Sequence, residues 1–339
     1  MTDKYATNKL KKYSKIKVAI VGCGKIAGVF DDPILPEVVR THALAYTRDI
    51  RTRLVAVGDI DSQRAKKFAK HWKADSYYTD IREMLDRSSP QIVSICSPDP
   101  THLAVLEECL KHDSVKAAWC EKPLVTSYNQ AKSIIRQYER SGKYLFVNYQ
   151  RNYDPVINDY QTRFEEELGE VQKVTAFYTK GVLHNGSHII SLLVEWFGKA
   201  QEIEFLCGDL SSSKSCDPNV DALLKFKNFP AYLIGLDKDA YSLFEIQCYG
   251  TLGALCLTNR SGKERLILSK VICDPKWRGF DILDSHNNVK NTGSDKAFSY
   301  VLSHIIETMS DKSKVSYDVT LETMRICHEL STLNSTGNI

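Results

Sequence analysis

Short apolar runs alternate with longer amphipathic stretches over the first 150 residues of the chain. The runs have the length and composition of buried strands, and the stretches between them have the apolar spacing of helices. The predicted strands are residues 16–21, 54–57, 92–96, 115–120 and 144–147. The predicted helices are residues 62–72, 101–111 and 127–140. This alternation is typical of βαβ units and a doubly wound parallel sheet.

The pattern changes after residue 150. Asp154-Pro155 predicts the start of a helix, and Gly169 predicts its end. Closely spaced strands are then predicted at residues 171–179, 202–207, 222–226, 231–236, 243–249 and 266–271, with helices at 189–197, 296–309 and 321–333. Several of these strands alternate apolar and polar residues, which is typical of an antiparallel sheet with one covered face. We therefore predict an α/β domain over residues 1–150. An α+β domain with a large, open, mainly antiparallel sheet is predicted over residues 151–339.

The composition argues against several classes of protein. The 339 residues are 43% hydrophobic and 26% charged, with a formal net charge of +3. This composition is too apolar for a disordered chain, and it lacks the concentrated basic surface of a nucleic-acid-binding protein. No apolar run approaches the ~18 residues of a membrane helix, and the lysine-rich first 17 residues do not form a secretory signal. We expect a cytoplasmic protein with no nucleic-acid or membrane partner.

The ten cysteines are scattered and form no Cys-x-x-Cys pair. That spacing argues against zinc and iron–sulfur sites, and several of the cysteines lie in apolar runs. Reduced, buried thiols are the interpretation that fits best.

A glycine-rich motif, G-x-G-x-x-A, follows the first predicted strand. Its first glycine permits a tight turn, its second admits a pyrophosphate close to the backbone, and its alanine allows close packing of the next helix. The predicted cofactor contacts in this motif are Gly22, Gly24, Lys25, Ile26 and Ala27. The motif predicts a dinucleotide-binding Rossmann domain; the alternative is a tight turn without a ligand.

Asp59 ends the second predicted strand, where a carboxylate accepts hydrogen bonds from the adenosine ribose. Its charge would repel a 2′-phosphate, so NAD is favoured over NADP. The spacing from Gly24 exceeds the usual ~20 residues, and we assign the excess to an insertion at residues 31–36. Arg64 offers a route to NADP binding, so NADP stays open as the alternative. An ordinary turn residue is the other interpretation of Asp59.

Two further motifs supply candidate chemistry. Glu121-Lys122-Pro123 follows the fourth predicted strand, at the sheet edge where doubly wound folds bind ligands. A lysine there can polarise a substrate oxygen, whereas a surface ion pair is the alternative.

His184 and His188 lie four residues apart before an apolar helix. Zinc is a rival interpretation, but the glutamate of H-E-x-x-H and a third ligand are missing, so no metal is predicted. Packed core histidines are the remaining alternative.

Together these motifs resemble those of the Gfo/Idh/MocA oxidoreductases. The resemblance rests on residues 22–27, Ser97-Pro98 with His102, residues 121–123, residues 148–155, and Gly186 with His188. It implies a Rossmann domain joined to an open mixed sheet that forms homodimers or homotetramers. It also implies that Lys122 lies near the nicotinamide and substrate, and that His188 is the acid/base. Ser97, Pro98, His102 and Glu121 are the cofactor contacts that we expect, and Glu121 is also expected to orient Lys122.

The chain departs from the family at His184, where many members carry an aspartate. We expect a more cationic pocket, in which like charges lower the pKa of either histidine, and hence an anionic substrate such as a uronate or a nucleotide sugar. The sequence around His184 is also similar to family members from surface-polysaccharide and nucleotide-sugar pathways. The candidate catalytic residues are Lys122, His188 and His184. The candidate substrate contacts are Lys122, Arg151, Tyr153, His184, Asn185 and His188.

The predicted reaction is reversible hydride transfer between a sugar CH–OH carbon and the nicotinamide. His188 would take the hydroxyl proton, and Lys122 would stabilise the developing alkoxide. The resemblance also extends to galactose-pathway repressors, which bind a dinucleotide as sensors without turnover. A sensor is therefore the alternative function, and an imine or enoyl reductase on the same scaffold is the third.

Overall fold

The structure is a computed structural model that describes residues 14–30, 37–208, 217–237, 240–285 and 288–332. Most of the lysine-rich N-terminal segment and the insertion predicted at residues 31–36 lie outside the described residues. The described chain forms two sheets, each covered by helices.

The first sheet has six parallel strands in the order β3-β2-β1-β4-β5-β6. These strands are β1 Ile16–Val21, β2 Thr52–Gly58, β3 Ser76–Tyr78, β4 Ile92–Ile95, β5 Ala117–Cys120 and β6 Tyr144–Val147. Every residue of β4 and β5 is buried, as expected of strands covered on both faces. The strand order reverses between β1 and β4, so their carboxyl ends flank the crevice in which such sheets bind ligands. The predicted doubly wound fold is confirmed.

The helices of the first sheet are α1 His42–Arg48, α2 Ser62–Trp72, α3 Ile81–Ser88, α4 His102–Lys111 and α5 Tyr128–Ser141. A five-residue π-helical turn, Lys25–Val29, follows the glycine motif, and α1 begins only at His42. The described residues between β1 and β2 therefore form two separate helical segments. The turn after the glycine motif is shorter than the helix that the motif predicts.

The helix predicted after Asp154 is two short helices, α6 Pro155–Gln161 and α7 Phe164–Leu168. Asp154 is the N-cap of α6, and its Oδ1 accepts hydrogen bonds from the backbone of Val156 and Ile157. Its Oδ2 accepts from the backbone of Gly293 at 2.6 Å, and the residue is 2% exposed. The buried carboxylate thus joins the start of α6 to the segment that leads into the C-terminal helices.

We expect Asp154→Ala to lower the free energy of unfolding by about 2 kcal/mol, because the lost carboxylate leaves three buried or partly buried backbone N–H groups without their acceptor. Chemical denaturation measures this loss. Asp61→Ala removes the exposed N-cap of α2 and is the matched control, for which we expect a smaller loss. Equal losses at the two positions would contradict the buried bridge to Gly293.

The second sheet has nine strands, in the order β14-β13-β12-β11-β7-β10-β9-β8, with β15 paired to β13. These strands are β7 Val171–Tyr178, β8 Glu202–Gly208, β9 Val220–Lys225, β10 Pro230–Gly235, β11 Phe244–Gly250, β12 Gly253–Thr258, β13 Arg265–Cys273, β14 Asp281–Asp284 and β15 Val289–Asn291. Among the described strands of this second sheet only β7 and β10 pair in parallel, so the predicted mainly antiparallel sheet is confirmed. Helix α8 Ser187–Phe197 packs its apolar side chains against one face.

Two helices end the described chain, α9 Ala297–Asp311 and α10 Asp318–Thr332. Helix α9 packs into the core of the first sheet through Phe298 and Val301, whereas α10 contributes to both cores. Residues after 151 therefore build part of the first layer as well as the second. The domain boundary at residue 150 stays a prediction.

No helix within the described ranges is long and apolar enough to span a bilayer. The same part of the chain contains no cluster of His, Cys, Asp and Glu side chains arranged to hold a metal ion. The nine described cysteines are free thiols, and six of them are buried.

Candidate active site

The two motif glycines have different surroundings. Gly22 has a φ of +89°, and a Cβ there would lie 2.6 Å from the backbone of Cys96 and Ser97. Gly24 has nothing within 4 Å of an added Cβ. Gly22 therefore permits close contact between the loop and the end of β4, and Gly24 leaves open space above the backbone. Lys25 is exposed, Ile26 is partly exposed and Ala27 is fully buried beneath the turn.

The space above Gly24 has the character of a pyrophosphate cradle, since a ligand approaches the backbone where no side chain intervenes. We expect Gly24→Ala to leave the free energy of unfolding unchanged within about 0.5 kcal/mol and to weaken NADH binding about tenfold. Fluorescence titration measures the affinity. Gly22→Ala is the comparison variant and is expected to destabilise the fold itself. Unchanged NADH affinity in Gly24→Ala would contradict the cradle.

Asp59 holds the phosphate loop to the end of β2. Its Oδ2 accepts a hydrogen bond from the backbone of Cys23 at 2.9 Å, and its Oδ1 accepts from the backbone of Asp61 at 2.9 Å. Arg64 Nη1 lies 3.5 Å from the same Oδ2, and the Asp59 side chain is 6% exposed. The carboxylate thus faces the loop, and Arg64 partly offsets its charge.

A cavity of about 550 Å³ lies between the phosphate loop and α2. Phe68 and Trp72 form its apolar side. The basic residues that line it are Lys25, Arg64, Lys67 and His71. The cavity therefore offers positive charge beside the glycine loop.

Glu121 is buried at the end of β5 and accepts hydrogen bonds from His42 Nε2 at 3.0 Å and Asn148 Nδ2 at 2.6 Å. Burial raises the pKa of the Glu121 carboxyl, but the hydrogen bond and charge of His42, with help from Lys122 and Asn148, outweigh it and lower the pKa. The described contacts include no ion pair between Glu121 and Lys122. Glu121 anchors the Lys122 loop to α1 through His42. Its roles in orienting Lys122 and in contacting the cofactor stay predictions.

His102 is fully buried at the start of α4. Its Nδ1 lies 2.9 Å from the carbonyl oxygen of Pro123, and its Nε2 lies 2.8 Å from that of Ser97. The ring exposes no surface in this structure, and its contact with the cofactor stays a prediction. It holds together the loops after β4 and β5, in which Ser97 and Pro98 remain accessible.

His188 lies in the first turn of α8, with its Nδ1 buried. Burial lowers the pKa of His188 well below its ordinary value, and the charges of Lys122, Arg151 and His184 lower it further. The structure therefore brings Lys122 within electrostatic range of His188. The imidazole is neutral at neutral pH, which is the protonation state of a general base. The predicted lowering of the His188 pKa is confirmed.

His184 has the opposite environment. Its Nδ1 lies 2.5 Å from Asp217 Oδ2, and its Nε2 lies 3.4 Å from Asp99 Oδ2. These two hydrogen bonds raise the pKa of His184 to about 9 against burial and the charge of Lys122. The predicted lowering of the His184 pKa is wrong, because two carboxylates from other loops replace the aspartate that the local sequence lacks. The site is correspondingly less cationic than expected.

Asp217 also organises the π-helical turn Gly181–Gly186 that carries His184 and the partly exposed Asn185. Its carboxylate accepts from the backbone of Leu183 at 2.6 Å and of His184 at 3.0 Å. Asp217 and Asp99 are site residues that the sequence did not reveal. They meet His184 only through the fold, so no local spacing marks them.

The two residues predicted after β6 lie in different places. Arg151 Nη2 is 2.6 Å from Glu264 Oε2, and its guanidinium stacks 3.8 Å above the Phe244 ring. The positive charge of Arg151 lowers the pKa of His188, but the guanidinium is already paired with Glu264. Tyr153 lines a groove of about 900 Å³ whose walls include neither Lys122 nor His188. The structure therefore separates Tyr153 from the other predicted substrate contacts.

Comparison with known proteins finds a family match over residues 16–149. The model of the Gfo/Idh/MocA family, described as an oxidoreductase family with an NAD-binding Rossmann fold, matches residues 16–149. Inositol 2-dehydrogenase of Rubrobacter xylanophilus is 32% identical over 142 residues, which are 42% of this chain and 37% of that protein. The sequence match thus spans well under half the length of this curated relative.

Solved structures match over nearly the whole chain. An oxidoreductase from Agrobacterium radiobacter, in complex with NAD⁺, L-tartaric acid and magnesium, aligns with a TM-score of 0.73 at 16% identity and covers 96% of this chain and 98% of its own. A 3-ketoreductase from Actinomadura kijaniata, in complex with TDP-benzene and NADP, aligns with a TM-score of 0.72 at 17% identity, over 94% and 96% of the two chains. At these identities the structures show a shared two-sheet fold alone. The glycine loop, the strand order and the family match agree for residues 16–149, and this part of the chain is similar to the NAD-binding Rossmann domain of the Gfo/Idh/MocA oxidoreductases.

Proposed function

We propose that the chain is an NAD(P)-dependent oxidoreductase that transfers hydride between the nicotinamide and a secondary alcohol or ketone of a sugar. The observation that supports the proposal is that Lys122, which follows β5 of the first sheet, is close enough to His188 on α8 for its charge to lower the pKa of that histidine. Such a pair supplies a proton acceptor and a positive charge to one reacting oxygen. A sensor needs neither.

The proposed mechanism divides the work among the residues of the chain. A bound dinucleotide would supply the hydride acceptor or donor. Gly22 and Gly24 shape the loop that holds its phosphates, and Ser97 and Pro98 line its path at the end of β4. Lys122 stabilises the negative charge that develops on the substrate oxygen. His188 takes the hydroxyl proton during oxidation and returns it during reduction.

The substrate class is a sugar or polyol. The more specific prediction is still an anionic or nucleotide-linked sugar. The charge argument for an anionic substrate is weaker than the sequence suggested, because Asp99 and Asp217 offset the charge of His184. His184, fixed by these carboxylates and half-exposed, is proposed as a substrate contact rather than as a second base.

The test is a panel assay at the nicotinamide absorbance band with neutral polyols, aldoses, uronates and nucleotide sugars. We expect turnover on at least one sugar with NAD⁺ or NADP⁺. Tight NADH binding without turnover on any member of the panel would overturn the enzyme and favour the dinucleotide sensor.

NAD is the proposed cofactor, with NADP as the alternative that Arg64 allows. We expect the wild type to bind NADH more tightly than NADPH, and Asp59→Asn to shift that preference about tenfold toward NADPH, the ~1.4 kcal/mol expected from removing one repulsive charge. The asparagine keeps an acceptor for the Cys23 backbone. Parallel titrations with NADH and NADPH measure the ratio, and an unchanged ratio would contradict discrimination by Asp59.

A homodimer or homotetramer formed through the second sheet is likewise proposed. Its outer strands expose apolar side chains, including Ile282, Leu283 and Val289. Sedimentation of the full chain tests the state; a monomer at all concentrations would overturn it.

A further inference from the structure

Buried polar atoms without a protein partner cluster behind His188. Within the described residues these atoms include His188 Nδ1, Tyr149 Oη and Asn152 Oδ1. The Tyr149 ring meets the His188 ring edge to face, with centroids 6.0 Å apart. Asn152 Nδ2 donates to Ser191 Oγ at 3.0 Å, and Ser191 lies one turn after His188 on α8. Because buried polar groups in proteins are almost always satisfied, these atoms mark positions where water is expected to bind.

Glu195 extends this cluster by one more turn of α8. Residues 188, 191 and 195 share one face of a helix. Burial raises the pKa of the Glu195 carboxyl, although a hydrogen bond from Asn152 opposes the rise. A carboxylate in this position can hold and release a proton.

The cluster opens into the groove of about 900 Å³ between β6 and α9. Tyr149, Asn152 and Glu195 all line this groove, whereas Lys122 and His188 do not. Tyr149, whose ring contacts that of His188, therefore lies between His188 and the groove, and Asn152 and Glu195 line the same groove.

From this geometry we infer that Tyr149, Asn152 and Glu195 form a proton path between His188 and the groove. The inference rests on the proposed function. During oxidation the substrate O–H bond breaks and its proton binds one ring nitrogen of His188, while the C–H bond gives its electron pair, as hydride, to the nicotinamide. His188 then releases the Nδ1 proton through water and the Tyr149 hydroxyl to the Glu195 carboxylate. Glu195 passes the proton to bulk water in the groove, and reduction runs the same steps backwards.

The proposed path gives His188 a route by which to lose its proton. Lowering the pKa of His188 makes its charged form short-lived, so the proton has to leave quickly, and bound sugar and nicotinamide cover the front of the ring. Asn152 positions the bridging water but carries no proton itself, whereas Tyr149 and Glu195 exchange protons.

The first test is a high-resolution crystal structure of the full chain. We expect ordered water within hydrogen-bond distance of His188 Nδ1 and of Tyr149 Oη or Asn152 Oδ1. A dry, closed gap between His188 and the groove would overturn the path. This readout is independent of turnover, so it decides the path even if no sugar is oxidised and the proposed function fails.

The second test uses Glu195→Gln in the active full chain. We expect kcat to fall about tenfold and the Kd for NADH to stay unchanged. This loss of kcat is smaller than the ~10²–10³-fold or larger effect of removing a positioned proton-transfer group. The solvent deuterium isotope effect on kcat should rise, and added imidazole buffer should restore kcat in proportion to its concentration. Glu307→Gln, at another carboxylate that lines the groove, is the control and should match the wild type. A Glu195→Gln enzyme with wild-type kcat and isotope effect would overturn the path.

Discussion

Lys122→Met is expected to lower kcat by about 10²–10³-fold, because the variant keeps the length of the side chain and removes the charge that stabilises the reacting oxygen. The Kd for NADH should change less than about threefold, since the phosphate loop and the β4 loop are untouched. Steady-state kinetics on the sugar identified by the panel, with a parallel NADH titration, measures both quantities.

The control for Lys122→Met is Lys132→Met on α5, where the ammonium lies over the Tyr128 ring away from the site. It should keep the wild-type kcat. A Lys122→Met enzyme that retains kcat would show that the lysine has no role in the chemical step.

Asp217→Asn is expected to change both stability and the titration of His184. The wild-type carboxylate accepts from the backbone of Leu183 and His184 and from the His184 ring. Weakening these three charge-assisted bonds should lower the free energy of unfolding by about 2–3 kcal/mol. The pKa of His184 should fall from about 9 toward its ordinary value. Denaturation and NMR titration of the His184 ring measure the two changes.

The pH dependence follows from the direction of the shift. The folded-state pKa of His184 lies above the unfolded value of about 6.5, so its stabilisation is complete below that pH and is lost as pH rises through about 9. The unfolding free energy of the wild type should therefore decline across this window, and that of Asp217→Asn should decline less. Asp99→Asn, at the longer contact of 3.4 Å, should have a smaller effect. Equal slopes in all three proteins would contradict the Asp217 pairing.

The parts of the fold that the sequence predicts are those with a periodic burial pattern. In β9 buried and half-buried residues alternate, and β1 ends in four buried residues, so both produce clear signals. Four strands were not predicted. β3 has three residues, and β14 and β15 are almost wholly exposed, so these three have no such pattern. β12 was missed although buried and half-buried residues alternate along most of it. Helices α1 and α3 were also not predicted, because they have only seven and eight residues.

The same distinction applies to the candidate active site, where some residues belong to local motifs and others come from distant parts of the chain. The glycine loop and the Lys122 and His188 motifs are local in sequence, and in the structure the charge of Lys122 lowers the pKa of His188. The partners that set their electrostatics are distant: Asp217 lies 33 residues from His184, and His42 lies 79 residues from Glu121. No local pattern encodes these contacts, which is why the pKa of His184 was predicted in the wrong direction.

The most direct test of the central claim, that Lys122 and His188 act on one substrate oxygen, is a double-mutant cycle on kcat with Lys122→Met, His188→Asn and the combined variant. Residues that act as a unit are strongly non-additive, so we expect the combined variant to be little slower than the slower single variant. Losses in the two single variants that multiply in the combined one would show that the two side chains act independently and would contradict the proposed site.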